Sequence, residues 1–472
     1  MITENASSNR NIKCEVKKQQ NAWLKYSEEE KQNIYKYNEG YKEFISICKT
    51  ERECVREVIK MAEAHGFHNM LEVNKICDGD KLYVNNMGKN IVLFAIGSLP
   101  LEEGMKLLSA HIDSPRLDLK QVTLYEDTEM AFFDTHYYGG IKKYQWVTLP
   151  LAIHGILALK DGNIVSVVIG EDDADPVVGI SDLLIHLATS QMEKKGYNVV
   201  EGEDLNVLVG SIPLANEEKD AVKANILSLL MEKYGIIEDD FLSAELEVVP
   251  AGRARDFGID RSMIIGYGQD DRVCVYNSIM ALFQAEKTDH TAVCLLVDKE
   301  EVGNTGATGT CSKFFENTVA ELLIKQGVYS EIKVRRALQN SQMLSSDACA
   351  AFDPNYPSVM EKKNSAYFGR GIVFNKYVGS RGKFGCNDAN AEYFAILRRI
   401  METNDINFQT SELGKVDEGG GGTISHVFAQ YNMQVIDCGV AVLNMHAPWE
   451  ITSKVDIYET MKGFNAFLGD SY

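Results

Sequence analysis

An apolar run from Thr291 to Val297 is followed at once by Asp298-Lys299-Glu300-Glu301-Val302-Gly303. A short apolar run that stops at a Gly-rich turn reads as a buried strand. The two adjacent glutamates therefore fall at the strand's carboxyl end, where open α/β sheets gather their active sites. Neighbouring carboxylates repel, and partial desolvation sharpens the conflict. A cation resolves it, with one Glu binding metal and the other left free as a base. The bland alternative is a solvated acidic turn.

The remaining sequence sets the frame for that site. With 472 residues, the chain has room for two or three domains and a large core. Lys and Arg number 48 against 68 Asp and Glu, a formal charge of −20. That balance disfavours nucleic-acid backbones and polybasic membrane attachment, but a local basic pocket for acidic substrates stays compatible with it. The ten cysteines, from Cys14 to Cys438, form no C-x-x-C pair. Zinc ribbons and thioredoxin-like chemistry are thus unsupported, and reduced thiols in a cytosol are expected. The stretch before Trp23 is polar, and no apolar window reaches the length of a membrane span. A soluble cytoplasmic protein is the expectation.

Periodicity divides the chain into textures. Residues 27–65 are helical in pattern, 81–84 and 91–96 form a hairpin, and 105–110 a strand that ends at His111-Ile112-Asp113-Ser114-Pro115. From about 116 to 254 short β-type runs dominate (153–159, 164–169, 205–209, 244–249), with helices expected at 180–195 and 217–234. Alternation of helix and strand then returns: helices 273–284, 310–326 and 389–402, strands 291–297, 342–352 and 433–442. The expected fold is a three-layer α/β catalytic domain with a mixed central sheet, built from 1–113 and 255–472. A largely β domain, 114–254, is inserted as an oligomerisation or lid domain.

Five sites share one context, a strand end or the turn after it: His111/Asp113, Asp270/Asp271, Glu300/Glu301, Asp347 and His446. Imidazoles and carboxylates are the ligand set of hard and borderline divalent ions, and a bridging carboxylate is usual when two ions share a site. Most have a structural alternative. His111/Asp113 can be a strand-end histidine with a surface Asp, Asp270-Asp271 can cap the helix that follows, and His446 can be a satisfied core histidine. Asp347, an acid surrounded by small residues, needs a partner, which a metal would supply.

Taken in order, His111-Ile112-Asp113-Ser114-Pro115, Asp270-Asp271-Arg272, Glu300-Glu301-Val302-Gly303, Ser345-Ser346-Asp347 with Asp353-Pro354-Asn355-Tyr356, and Met445-His446 resemble the aspartyl aminopeptidase family. The resemblance runs from about Lys106 to Trp449, where Trp449-Glu450 departs from the usual ending. It implies a di-zinc exopeptidase with His111, Asp270, Glu301, Asp347 and His446 as metal ligands and Asp270 bridging. Glu300 is then the general base and Asp113 the group that orients His111. Two divalent ions, Zn²⁺ or alternatively Co²⁺ or Mn²⁺, activate a bridging water that attacks the first peptide carbonyl. His186 matches the histidine that such enzymes lend to a neighbouring subunit, against a plain helix histidine as the alternative. Arg381 and Lys383 lie where the family keeps a basic group for the substrate carboxylate, against a solvated basic loop. His426 reads as structural.

The specificity segments depart from the family. Ala350 and Asp353 replace expected histidines, and Asp417-Glu418-Gly419-Gly420-Gly421-Gly422-Thr423 replaces a Pro-Cys-Gly-type segment. Preference for N-terminal Asp or Glu is thus left open, whereas two-metal hydrolysis of peptides is untouched. The resemblance also implies a large homo-oligomer, a dodecamer, with neither nucleic acid nor membrane as partner. A related metallo-carboxypeptidase or deacylase, and a catalytically silent metal-binding scaffold, are the competing readings.

Overall fold

The computed structural model describes residues 20–285 and 288–471. Its centre is a nine-stranded mixed sheet. Four adjacent strands, Thr291–Val297, Met105–His111, Gln342–Ser346 and Gln434–Gly439, run parallel in that spatial order, with Val297 opposite His111 and Ser346 opposite Cys438. Antiparallel neighbours close each side, Asn90–Ala95 on one and Ile372–Asn375 on the other.

Side chains on a strand alternate between faces, and both faces here are covered. Leu108, Ala110, Cys294, Leu296 and Leu344 pack with the helices Glu28–Ile47, Glu51–Ala64, Gln269–Gln284, Ala391–Thr403 and Lys454–Gly469. Their neighbours Leu107, Val293, Leu295 and Met343 pack with Phe314–Lys325 and Glu331–Gln339. Three layers result, helices on either side of the sheet. Parallel strands buried on both faces explain the unbroken apolar runs in the sequence.

A separate six-stranded antiparallel sheet is built wholly from strands between Arg116 and Pro250, and it has its own core around Trp146, Leu151, Val207 and Val248. Between it and the helical layer lie buried ions. Lys49 reaches Glu171 at 2.6 Å and the carbonyls of Pro250 and Gly252 at 2.6 and 2.7 Å. His154 faces Glu53 at 2.9 Å and Glu171 at 3.2 Å.

Several expectations need correction. Residues 180–195 do not form one helix: only the turn Ile185–Leu187 and the short helix Thr189–Met192 are helical. Leu183, Leu184, Ile185 and Leu187 stand exposed, and a helix with no face to pack has little to stabilise it. The strand expected over 342–352 breaks at Asp347. Gln342–Ser346 stays in the central sheet, while Cys349–Ala350 joins a five-stranded sheet with Ala441–Leu443, Glu450–Ser453, Met263–Gly266 and Arg255–Phe257. The strand expected over 433–442 divides in the same way, at Val440. Gly439 permits the crossing, because a Cβ there would lie 2.0 Å from the Asp347 carbonyl oxygen. The long hairpin Arg116–Asp127 and Met130–Tyr138 escaped the sequence pattern because a register shift between Leu119 and Leu124 interrupts its alternation. The described cysteines are all free, and Cys14 lies outside the described residues.

Lys49 is one of the buried cations that hold the junction. Removing one partner of a buried ion pair costs about 3–5 kcal/mol. Lys49→Met should therefore lower the chemical-denaturation midpoint clearly, and a midpoint equal to that of the parent chain would contradict this reading of the junction.

Candidate metal centre

The parallel strands end together, and the turns that follow carry the site. After Val297 the backbone enters the left-handed region at Lys299 (φ 68°) and again at Gly303 (φ 90°), with the single turn Glu300–Val302 between them. Asp298 closes the base of this loop by accepting from the Thr308 hydroxyl at 2.6 Å. The amides of Glu300 and Glu301 both donate to Asp113, at 3.2 Å to Oδ1 and 3.2 Å to Oδ2. Tyr138 donates its hydroxyl to the same Oδ2 at 2.8 Å.

The two histidines are held alike. His111 Nδ1 lies 3.0 Å from the Asp113 carbonyl and His446 Nδ1 lies 2.9 Å from the Gly140 carbonyl. A carbonyl can only accept, so each Nδ1 carries a proton, and each Nε2 is left facing the carboxylates, the atom a metal would take once its proton is displaced. Both Nε2 atoms point at Asp270, from opposite sides. His111 Nε2 is 3.3 Å from Oδ1, and His446 Nε2 is 3.2 Å from Oδ2. Asp347 Oδ1 stands 3.7 Å from His111 Nε2, and Glu301 Oε1 stands 3.5 Å from His446 Nε2. Two ligand groups follow, His111/Asp270/Asp347 and Asp270/Glu301/His446, each with its donor atoms within 4.8 Å of one another. Glu300 falls in a third such group with His111 and Glu301.

These donors fit zinc. Ligand atoms at about 2.1 Å around a tetrahedral ion lie about 3.4 Å apart, and the contacts above span 3.2 to 3.7 Å. Asp270 Oδ1 and Glu301 Oε1 are buried without any hydrogen-bond donor, a condition that a cation satisfies. The local field has the required sign. Burial opposes charge on His446, yet Asp270 and Glu301 carry its pKa up to about 10. Burial, then the charges of Asp347, Asp113 and Asp270, push the Glu300 carboxyl up to about 8 against the pull of His111. Burial is also the main cause for Asp347, which rises to about 6.

The expected residues differ in where they stand. His111, Asp270, Glu300, Glu301, Asp347 and His446 converge. Asp113 meets His111 chiefly through its backbone carbonyl, with Oδ1 3.4 Å from Nδ1, while its carboxylate is engaged by the Glu300 and Glu301 amides. Asp270 and Asp271 direct their carboxylates away from the helix that follows: Asp271 accepts from the His111 amide at 3.3 Å, and the Asp270 oxygens face the two histidines. His186 is exposed on its short turn and belongs to none of the groups above. Arg381 and Lys383 lie on an exposed turn, where Lys383 pairs with Asp388 at 2.9 Å. Neither lines the hollow of about 340 Å³ beside His446, whose walls include Lys142, Tyr144, Gln145 and Tyr356. His426 holds the Thr423 carbonyl at 2.7 Å.

Sequence reasoning passed over Glu450. Fully buried, it accepts from the Asp270 amide at 3.0 Å and from the His446 amide at 2.8 Å. It thus ties the backbones of two prospective ligands together, as Asp113 does for Glu300 and Glu301. An acid flanked by Trp449 and Ile451 was the available signal, because a buried carboxylate needs donors.

Residues 44–468 match the family described as aminopeptidase I zinc metalloprotease (M18). The aminopeptidase I of Clostridium acetobutylicum is 62% identical, over 96% of this chain and 99% of that one, with a TM-score of 0.90. The M18-family aminopeptidase of Thermotoga maritima, 42% identical over 96% and 99% of the two chains, superposes with a TM-score of 0.93. A yeast (S. cerevisiae) aminopeptidase solved as a dodecamer has the same fold at 22% identity over 92% and 97%, with a TM-score of 0.74. By its sequence over nearly its whole length, and by its fold, this chain belongs to the M18 zinc aminopeptidases.

Proposed function

We propose that His111, Asp270 and Asp347 hold one zinc ion and Asp270, Glu301 and His446 a second, with Glu300 as the proton carrier of peptide hydrolysis. The observation that carries this reading is the division of Asp270, whose two oxygens face two different histidines. Charge supports it: with neutral imidazoles, the four carboxylates of Asp270, Glu300, Glu301 and Asp347 are balanced by two divalent ions. Bound zinc supplies Lewis acidity for the scissile carbonyl and makes nearby water a nucleophile at neutral pH. Glu300 takes the proton from the attacking water and returns it to the departing amine. The Asp113 clamp on its backbone keeps the carboxyl group at that station.

Lys142 is the basic residue that already lines the hollow beside His446. Contact between a substrate carboxylate and Arg381 or Lys383 would need their exposed turn to carry them there. We place the enzyme in the cytoplasm as a homo-oligomer, in keeping with the free thiols. Among the described residues no helix is long and apolar enough to cross a membrane. The exposed run Leu183-Leu184-Ile185-His186-Leu187 offers an apolar subunit contact that would bring His186 to a neighbouring site.

Glu300→Gln should keep its zinc yet lose turnover by about 10²–10⁴-fold, the usual worth of a general base. Full activity in that variant would remove Glu300 from the role. Capping the substrate separates the aminopeptidase from a deacylase or carboxypeptidase: a peptide cleaved with a free α-amine should resist when N-acetylated. Equal rates on both forms would exclude dependence on the amine.

A further inference from the structure

The six-stranded sheet reaches the metal centre through one strand end. Met130–Tyr138 stops at Tyr138, and Gly139-Gly140 follow. A Cβ on Gly139 would sit 3.3 Å from Pro115 and 3.4 Å from the Glu301 carboxylate, so this backbone lies directly against the site. Gly140 receives the His446 Nδ1 proton on its carbonyl. Tyr138 donates to Asp113 Oδ2, and Asp113 in turn accepts the Glu300 and Glu301 amides.

Tyr138 is itself fixed from behind. The Arg116 guanidinium lies 3.8 Å from its ring centroid, within reach of a cation–π contact. Arg116 Nε is 2.8 Å from Asp118 and 3.1 Å from Glu247, and its Nη1 is 3.7 Å from Glu51, the first residue of the helix Glu51–Ala64. The hydroxyl of Tyr138 therefore arrives from a braced ring. A carboxylate that accepts three donors has little freedom to turn, and each donor it loses loosens the others.

We propose that Tyr138 is a positioning residue of the zinc centre, holding Asp113 in the rotamer that pins the Glu300-Glu301 turn. The six-stranded sheet thereby sets the placement of a base and a ligand that belong to the central sheet. This rests on the roles assigned above to Glu300 and Glu301. Groups that orient metal ligands from behind are typically worth about 10–100-fold in metal affinity or activity.

Tyr138→Phe keeps the ring and its Arg116 contact and removes only the hydroxyl. Zinc affinity, measured by competition with a chromophoric chelator, should fall by about 10-fold or more. The same variant, reloaded with zinc, should lose kcat while KM changes by less than about twofold, the pattern of a lost transition-state interaction. A double-mutant cycle with Asp113→Asn isolates the route: if Tyr138 acts through Asp113, the second substitution adds little to the first. Unchanged zinc affinity in Tyr138→Phe, or full additivity in the cycle, overturns the proposal. The zinc readout is independent of turnover, so an active Glu300→Gln would remove the base assignment and leave this test standing.

Discussion

Asp270 has to satisfy two histidines at once, and the site is arranged around that demand. Its Oδ1 faces His111 and its Oδ2 faces His446, with Asp347 and Glu301 completing the two groups. Two carboxylates about 4 Å apart repel by about 4 kcal/mol even at an effective dielectric of about 20. Four of them gathered here would separate if their backbones were free. Two further buried acids prevent that: Asp113 accepts both amides of the Glu300-Glu301 turn, and Glu450 accepts those of Asp270 and His446. The backbone is thus clamped on both sides of a cluster whose charge favours divalent cations.

Strand register explains why residues so distant in sequence meet. Val297 pairs with His111, and Ser345 with Ser109, so the turns that follow the three strands open on the same edge of the sheet. The break of the 342–352 segment at Asp347 belongs to the same design. There the chain leaves one sheet for another, and the carboxylate is left projecting at the junction.

Much of this was legible in the sequence, and for specific reasons. The run 291–297 followed by Glu300-Glu301 signalled a strand end because doubly covered parallel strands are apolar throughout. His111, Asp270, Asp347 and His446 were singled out by residue type at similar turns. Glu450 was not, because its role is to hold backbone amides, and the hold of Tyr138 on another carboxylate was not legible either, since no spacing rule encodes such contacts. The 180–195 helix failed because apolar content alone cannot say whether a face will find a partner within its own chain. The register shift at Leu119/Leu124 hid the hairpin that delivers Tyr138.

The six-stranded sheet is more than an appendage to the catalytic layers. Its junction with them is ionic, through Lys49 to Glu171, His154 to Glu53 and Arg116 to Glu51, and the same region continues through Tyr138 to Asp113. The account as a whole rests on the sharing of Asp270, and zinc titration of the metal-stripped protein by calorimetry tests that most directly. About two ions per chain should bind to the parent, whereas Asp270→Asn should weaken both sites together. Binding of one ion to the parent, or loss of only one site in Asp270→Asn, would contradict it.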